Sequence, residues 1–149
     1  MSQDPDGGPE PALRLRAVRK RFGYSDVLRG IGLEVQSGEV LVLEGANGAG
    51  KSTLLRIVAT QWTATSGSVE VLGFDVKKDA LKVRAVIGAV FHESFLRSEL
   101  SLIENLRFAA SLHGLRWPEV EERAAELLER FALSKRLSDV VSTFSQGMP

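Results

Sequence analysis

The feature that most constrains this chain is a short run, Gly45-Ala46-Asn47-Gly48-Ala49-Gly50-Lys51-Ser52, which satisfies G-x-x-x-x-G-K-[ST] at every fixed position. Glycines at these points let the backbone curl so that successive N–H groups face inward as an anion nest. The run leads into residues 52–60, where Leu54, Leu55, Ile57 and Val58 recur at helical spacing. A helix beginning there offers unpaired amides and a partial positive charge to the same anion. Lys51 supplies a point charge for β- and γ-phosphates, the Ser52 hydroxyl is a candidate Mg²⁺ ligand, and Thr53 adds a hydroxyl for an α-phosphate. By residue frequencies, such a match arises roughly once in two hundred chains of this length. Just ahead, Val40-Leu41-Val42-Leu43 is apolar at every position, which predicts a strand buried on both faces in a parallel sheet.

Elsewhere the patterns are shorter. Residues 1–11, with Gly7, Gly8 and Pro9 between acidic residues, predict a disordered tail. Leu13, Leu15 and Ala17 alternate with Arg14 and Arg16, and Ile31, Leu33 and Val35 alternate with Gly32, Glu34 and Gln36. Each alternation predicts a strand with one wet face. Residues 67–73 predict another short strand, and residues 85–91 a second fully buried one. Helices are expected over 102–112 and 118–131. In the latter, Val120, Ala124, Leu127, Leu128 and Phe131 share one side, and Pro118 stands at the first helical position. Strands interleaved with one helix, then a run of helices, imply an α/β core with a helical subdomain inserted or appended.

Composition narrows the partners. The 19 basic and 19 acidic residues balance, so there is no global electrostatic case for nucleic acid or an anionic membrane surface. Cysteine is absent, which removes disulfides and thiolate metal sites and fits a reducing compartment. No basic-then-apolar leader is visible, and the longest apolar run, 85–91, is far too short to cross a bilayer. A membrane role would therefore run through a partner chain.

Three segments carry a family resemblance. LVLEGANGAGKSTLLRIV, from Leu41, resembles the Walker A region of ABC-type ATPases. Thr143-Phe144-Ser145-Gln146-Gly147-Met148 resembles their L-S-G-G-Q signature in its F-S-x-G-M form. Between them, IGAVFHESFLRSELSLIENLRF resembles the stretch from the Q-loop into the helical subdomain, with Glu104-Asn105-Leu106 in the E-N-L position. The resemblance covers nearly everything from Leu13 onward. It implies an α/β fold: a P-loop NTPase core of ABC-ATPase type with an antiparallel β subdomain and a helical subdomain at about 92–149, in a domain spanning 12–149.

The same resemblance implies roles and partners. ATP and Mg²⁺ would be the ligands, with Gly45, Ala46, Asn47, Gly48, Ala49, Gly50, Lys51, Ser52 and Thr53 around the phosphates and Ser52 on the metal. Phe22 matches the adenine-stacking aromatic; an ordinary core aromatic is an even alternative, and Tyr24 lies close enough to compete. Ser145 and Gly147 would face the γ-phosphate held by a second ATP-binding subunit in a head-to-tail dimer. His92, a catalytic candidate beside Lys51, stands where most members carry a glutamine that touches Mg²⁺ and the attacking water. A histidine there, with E-N-L-R-F and F-S-x-G-M, resembles the ATPase subunit of the haem exporter of cytochrome c biogenesis, although multidrug and ABC-2 exporters share the last two features. Transmembrane permease subunits would then hold the chain at the cytoplasmic face of the cell membrane. Phe91, Phe95 and Leu96 would line a groove for a permease helix or pack inside the subdomain. Family members continue past the signature to a Walker B aspartate and a catalytic glutamate, whereas this sequence stops at Pro149. The resemblance thus implies a domain incomplete at its C-terminus, binding ATP without efficient hydrolysis. A soluble ABC ATPase acting on nucleic acid or ribosomes is disfavoured by the balanced charge. A small-molecule kinase would need a substrate site and lid arginines that the sequence does not reveal.

Overall fold

The structure, a computed structural model, describes residues 10–91 and 95–144. Most of the expected tail (residues 1–9), His92, and the signature residues Ser145 and Gly147 lie outside the described residues. The chain divides into two compact units, Met1–Val90 and Phe91–Pro149.

In the first unit the order is β1 (Leu13–Phe22), β2 (Ser25–Val35), α1 (Lys51–Val58), β3 (Ser66–Val71), β4 (Phe74–Asp75) and α2 (Ala80–Val86). The strands form one antiparallel sheet in the order β2-β1-β3-β4. Leu15, Val18, Leu28, Val69 and Val71 turn inward and meet Leu54 and Ile57 of α1 and Val83 of α2 to form the core. β1 runs well past the alternation that announces it, because Ala17 adopts a left-handed backbone (φ 48°) and forms a bulge. The extra residue resets the phase, so that Leu15 and Val18, three apart rather than two, both point into the core. Gly67 of β3 abuts the same bulge: a Cβ there would stand 2.5 Å from the Arg16 and Ala17 carbonyl oxygens.

Two expected strands are corrected. Residues 40–43 form no strand and lie largely in solvent, with Val40 91% and Val42 70% exposed. Residues 85–91 are not a strand either: 85 and 86 close α2, and 87–91 are irregular. The reason is the same in both. A segment apolar on both faces is a strand only where neighbours pair with it on both sides, and no described strand does so.

In the second unit, α3 (Leu102–Leu112) and α4 (Trp117–Arg130) are followed by single 3₁₀ turns at Ser134–Arg136 and Val141–Thr143. α3 begins with a capping box: Glu104 N–H donates to Ser101 Oγ (3.3 Å), and Ser101 N–H donates to Glu104 Oε2 (2.8 Å). α4 starts at Trp117 with Pro118 next, and Glu119 reaches back to accept from the Arg116 N–H (3.2 Å) and its guanidinium Nε (2.7 Å). The E-N-L segment has a structural explanation here. Asn105, 4% exposed, accepts from Arg97 N–H (2.8 Å) and donates to the carbonyls of Arg97 and Ser101 (both 3.0 Å), which closes the loop that leads into α3. Phe91 and Phe95 meet edge-on at 6.4 Å, with Phe95 and Leu96 exposed.

Candidate phosphate-binding site

The glycine-rich loop takes the shape that its residue types predict. Gly45, Gly48 and Gly50 have φ of 148°, 84° and 91°, backbone that favours glycine. Ala49 N–H donates to Ala46 carbonyl (3.1 Å), tightening the curl, and Leu54 N–H donates to Gly50 carbonyl (2.9 Å) as the first bond of α1. The amides of Lys51, Ser52 and Thr53 therefore precede the first helical hydrogen bond and remain available at the helix start. No acidic residue occupies the first turn of α1, so its positive end is not neutralised locally.

Lys51 lies across the loop. Its Nζ donates to the carbonyls of Gly45 (2.7 Å) and Ala46 (2.9 Å). An ammonium has three protons to donate, so the side chain is tethered over the nest with one still free. Asn47, Gly48, Ala49, Gly50, Lys51, Ser52 and Thr53 line an open cleft of ≈ 370 Å³ together with Val27 of β2.

Val27 was not legible in the sequence, and it explains why Gly50 is glycine. A Cβ on Gly50 would stand 2.7 Å from Leu28 Cδ2 and 3.1 Å from the Val27 carbonyl oxygen. The antiparallel sheet thus presses against the loop from behind and fixes its last turn, a contact that needs both a left-handed φ and a bare Cα. No local signal marks Val27, because the approach is set by tertiary packing.

The two aromatic candidates differ. Phe22 ends β1 opposite Ser25. Its ring meets the edge of Trp62 at 5.1 Å and carries Lys20 Nζ 4.7 Å above it, yet it stays partly open to solvent. Tyr24, in the hairpin turn, is fully exposed. Val27 follows Ser25 by two residues on β2, roughly 7 Å along the strand, so the Phe22 hairpin and the cleft share one element. Ser52 is exposed at the cleft, and among the described residues no group of three or more His, Asp or Glu could hold a metal by itself. A divalent cation here fits the arrangement in which one hydroxyl and the nucleotide's own oxygens provide the ligands.

A left-handed glycine nest feeding a helix, backed by an antiparallel sheet, defines the P-loop class with an added β subdomain. A family model described as ABC transporter matches residues 28–149. Among relatives, the linearmycin resistance ATP-binding protein of Bacillus subtilis is 36% identical over 136 residues, covering 91% of this chain and 44% of that protein. The daunorubicin resistance ATP-binding protein of Streptomyces coeruleorubidus is 37% identical over 139 residues, covering 93% and 44%. A solved structure described as the ATP binding subunit of an ABC transporter superposes with a TM-score of 0.78 at 30% identity, over 90% of this chain and 56% of that one. The chain belongs to the ABC transporter family, with that family's ATP-binding fold. It spans less than half the length of these two resistance proteins.

Proposed function

We propose that the chain supplies the ATP-binding, energy-coupling part of an ABC-type membrane exporter of the multidrug or ABC-2 kind. The observation that carries this is the left-handed glycine nest opening onto α1, with Lys51 held across it by two loop carbonyls. The amides at the start of α1 receive the β- and γ-phosphates, Lys51 gives its remaining proton to them, and the Thr53 hydroxyl reaches the α-phosphate. Bound Mg²⁺ would neutralise phosphate charge, with the Ser52 hydroxyl as its protein ligand. Phe22 stacks on adenine, supported by its partial exposure and its hairpin on the cleft-lining sheet. Tyr24, wholly in solvent, is the weaker choice.

Among the described residues, those lining the cleft offer amides, hydroxyls and the Lys51 ammonium rather than carboxylates. They provide the positioning of ATP. Hydrolysis, a head-to-tail dimer in which Ser145 and Gly147 face the opposite γ-phosphate, water positioning by His92, and attachment to permeases at the cytoplasmic face of the membrane belong to the whole protein and rest on the family resemblance. Two relatives named for antibiotic resistance favour drug-type export over haem export, for which neither is named. Titration with a fluorescent ATP analogue tests the proposal. Lys51→Ala removes a charge-assisted contact worth roughly 1.5–3 kcal/mol and should weaken binding about tenfold to a hundredfold, whereas unchanged affinity would overturn it. Phe22→Ala should erase preference for adenine over a bare triphosphate, and Tyr24→Ala should not.

A further inference from the structure

The outer face of the sheet is divided electrostatically. At one end Arg14 is buried between Glu34 (Nε to Oε1, 2.6 Å) and Glu70 (3.8 Å), its partners directly across the ladder on β2 and β3. At the other end the arginines share a single acid, Asp26, and Arg29 Nε donates to its backbone carbonyl (3.4 Å). The bulge at Ala17 turns Arg16 and Arg19 to the same side, away from Leu15 and Val18. Arg19 then stands directly opposite Arg29 of β2, a like-charged cross-strand pair that is unfavourable unless something anionic covers it. Among the described residues, Arg16, Arg19 and Arg29 form no salt bridge, and the nearby Asp26 is occupied by Arg21 (2.7 Å). Arg19 and Arg29 both act on Asp26, whose carboxyl is held below its ordinary range chiefly by its hydrogen bond to Arg21. The surface around the arginines is nearly bare of side chains: Gly32 and Gly30 on β2, Ser68 and Ser66 on β3. The Arg19 guanidinium is laid against Gly30, where a Cβ would stand 3.7 Å from Nη2.

We propose that this arginine face is a docking surface for an acidic segment of a protein partner. Its shape argues against a small anion. The arginines are exposed on an open sheet face, and a single phosphate on such a surface is screened by water and salt. A chain carrying several carboxylates can add up individually weak pairs, each guanidinium offering a planar fork to a carboxylate. The fully exposed Tyr24 stands at the hairpin beside Arg21 and Asp26, and tyrosine and arginine are both among the side chains enriched at protein–protein hot spots.

The test uses the full chain and a fluorescein-labelled poly-glutamate peptide, read by anisotropy. Binding is expected at low salt and should fall steeply as salt is raised. Arg29→Glu places a carboxylate opposite Arg19 and should cost about tenfold or more in affinity, while the melting temperature stays level or rises because a cross-strand repulsion has become an attraction. Lys51→Ala should leave peptide binding intact; loss there would mean that the peptide occupies the phosphate loop and would overturn the proposal. It is equally overturned if the peptide does not bind, if Arg29→Glu binds it as well as the parent, or if phosphatidylserine vesicles or inorganic phosphate engage the same arginines more tightly.

Discussion

The two kinds of apolar segment in the first unit meet opposite fates. Val18 in β1 is 0% exposed, while Val40, no less apolar, is 91% exposed. β1 alternates, needs cover on one face only, and finds it in α1 and α2, with β2 and β3 pairing its edges. Residues 40–43 are apolar on both faces, so they need layers above and below as well as strands beside them; among the described residues no strand pairs with them, and only Leu43 packs against the core. Hydrophobicity alone therefore does not decide burial. The number of partners a segment requires does.

Substitutions at matched positions can break that comparison. Ile57→Ala, in the fully buried core where α1 meets the sheet, should cost about 3 kcal/mol. Val42→Ser should leave the melting temperature of the 149-residue chain nearly unchanged and raise its soluble yield, since an unpaired apolar segment is a site for aggregation. Thermal unfolding with a sedimentation assay reads both. A Val42→Ser chain that melts as early as Ile57→Ala would mean that residues 40–43 are buried in solution.

A smaller effect sharpens the account of the second unit, where helix α3 is held by local chemistry. Ser101→Ala removes the capping side chain of α3 and should cost about 1 kcal/mol. The pH dependence has a defined sign. The Ser101 amide and hydroxyl hold the Glu104 carboxyl below its ordinary range. A group whose pKa is depressed on folding contributes stability above its unfolded value and loses it as pH falls through the folded value. The gap in melting temperature between the parent and Glu104→Gln should thus be present at neutral pH and close below the ordinary carboxylate range. A gap that widened in acid would show that the capping box is not what holds Glu104.

Legibility in the sequence follows the same division between local and distant causes. The span of α3 was readable to the residue, and α4 to within one, because caps and periodicity are local. The P-loop was readable because its backbone shape is encoded by glycines at fixed intervals. The full length of β1 was hidden by the Ala17 bulge, and that of β2 by Gly30, whose φ of 98° breaks the alternation. The strands expected at 40–43 and 85–91 were misread because a doubly apolar run records a demand for partners, not their presence. The role of Val27 behind Gly50 had no sequence signal, and the one expected of Phe22 came from resemblance alone.

The central claim is that the nest at residues 45–53, backed by the sheet, receives the triphosphate. Amide-resolved NMR of the chain titrated with Mg²⁺ and ATP tests it most directly. The account predicts the largest shifts at the amides of Gly48, Gly50, Lys51, Ser52 and Thr53, and smaller ones at Val27 and the Phe22 hairpin. Shifts centred elsewhere, or shifts at those amides that persist undiminished in Lys51→Ala, would contradict it.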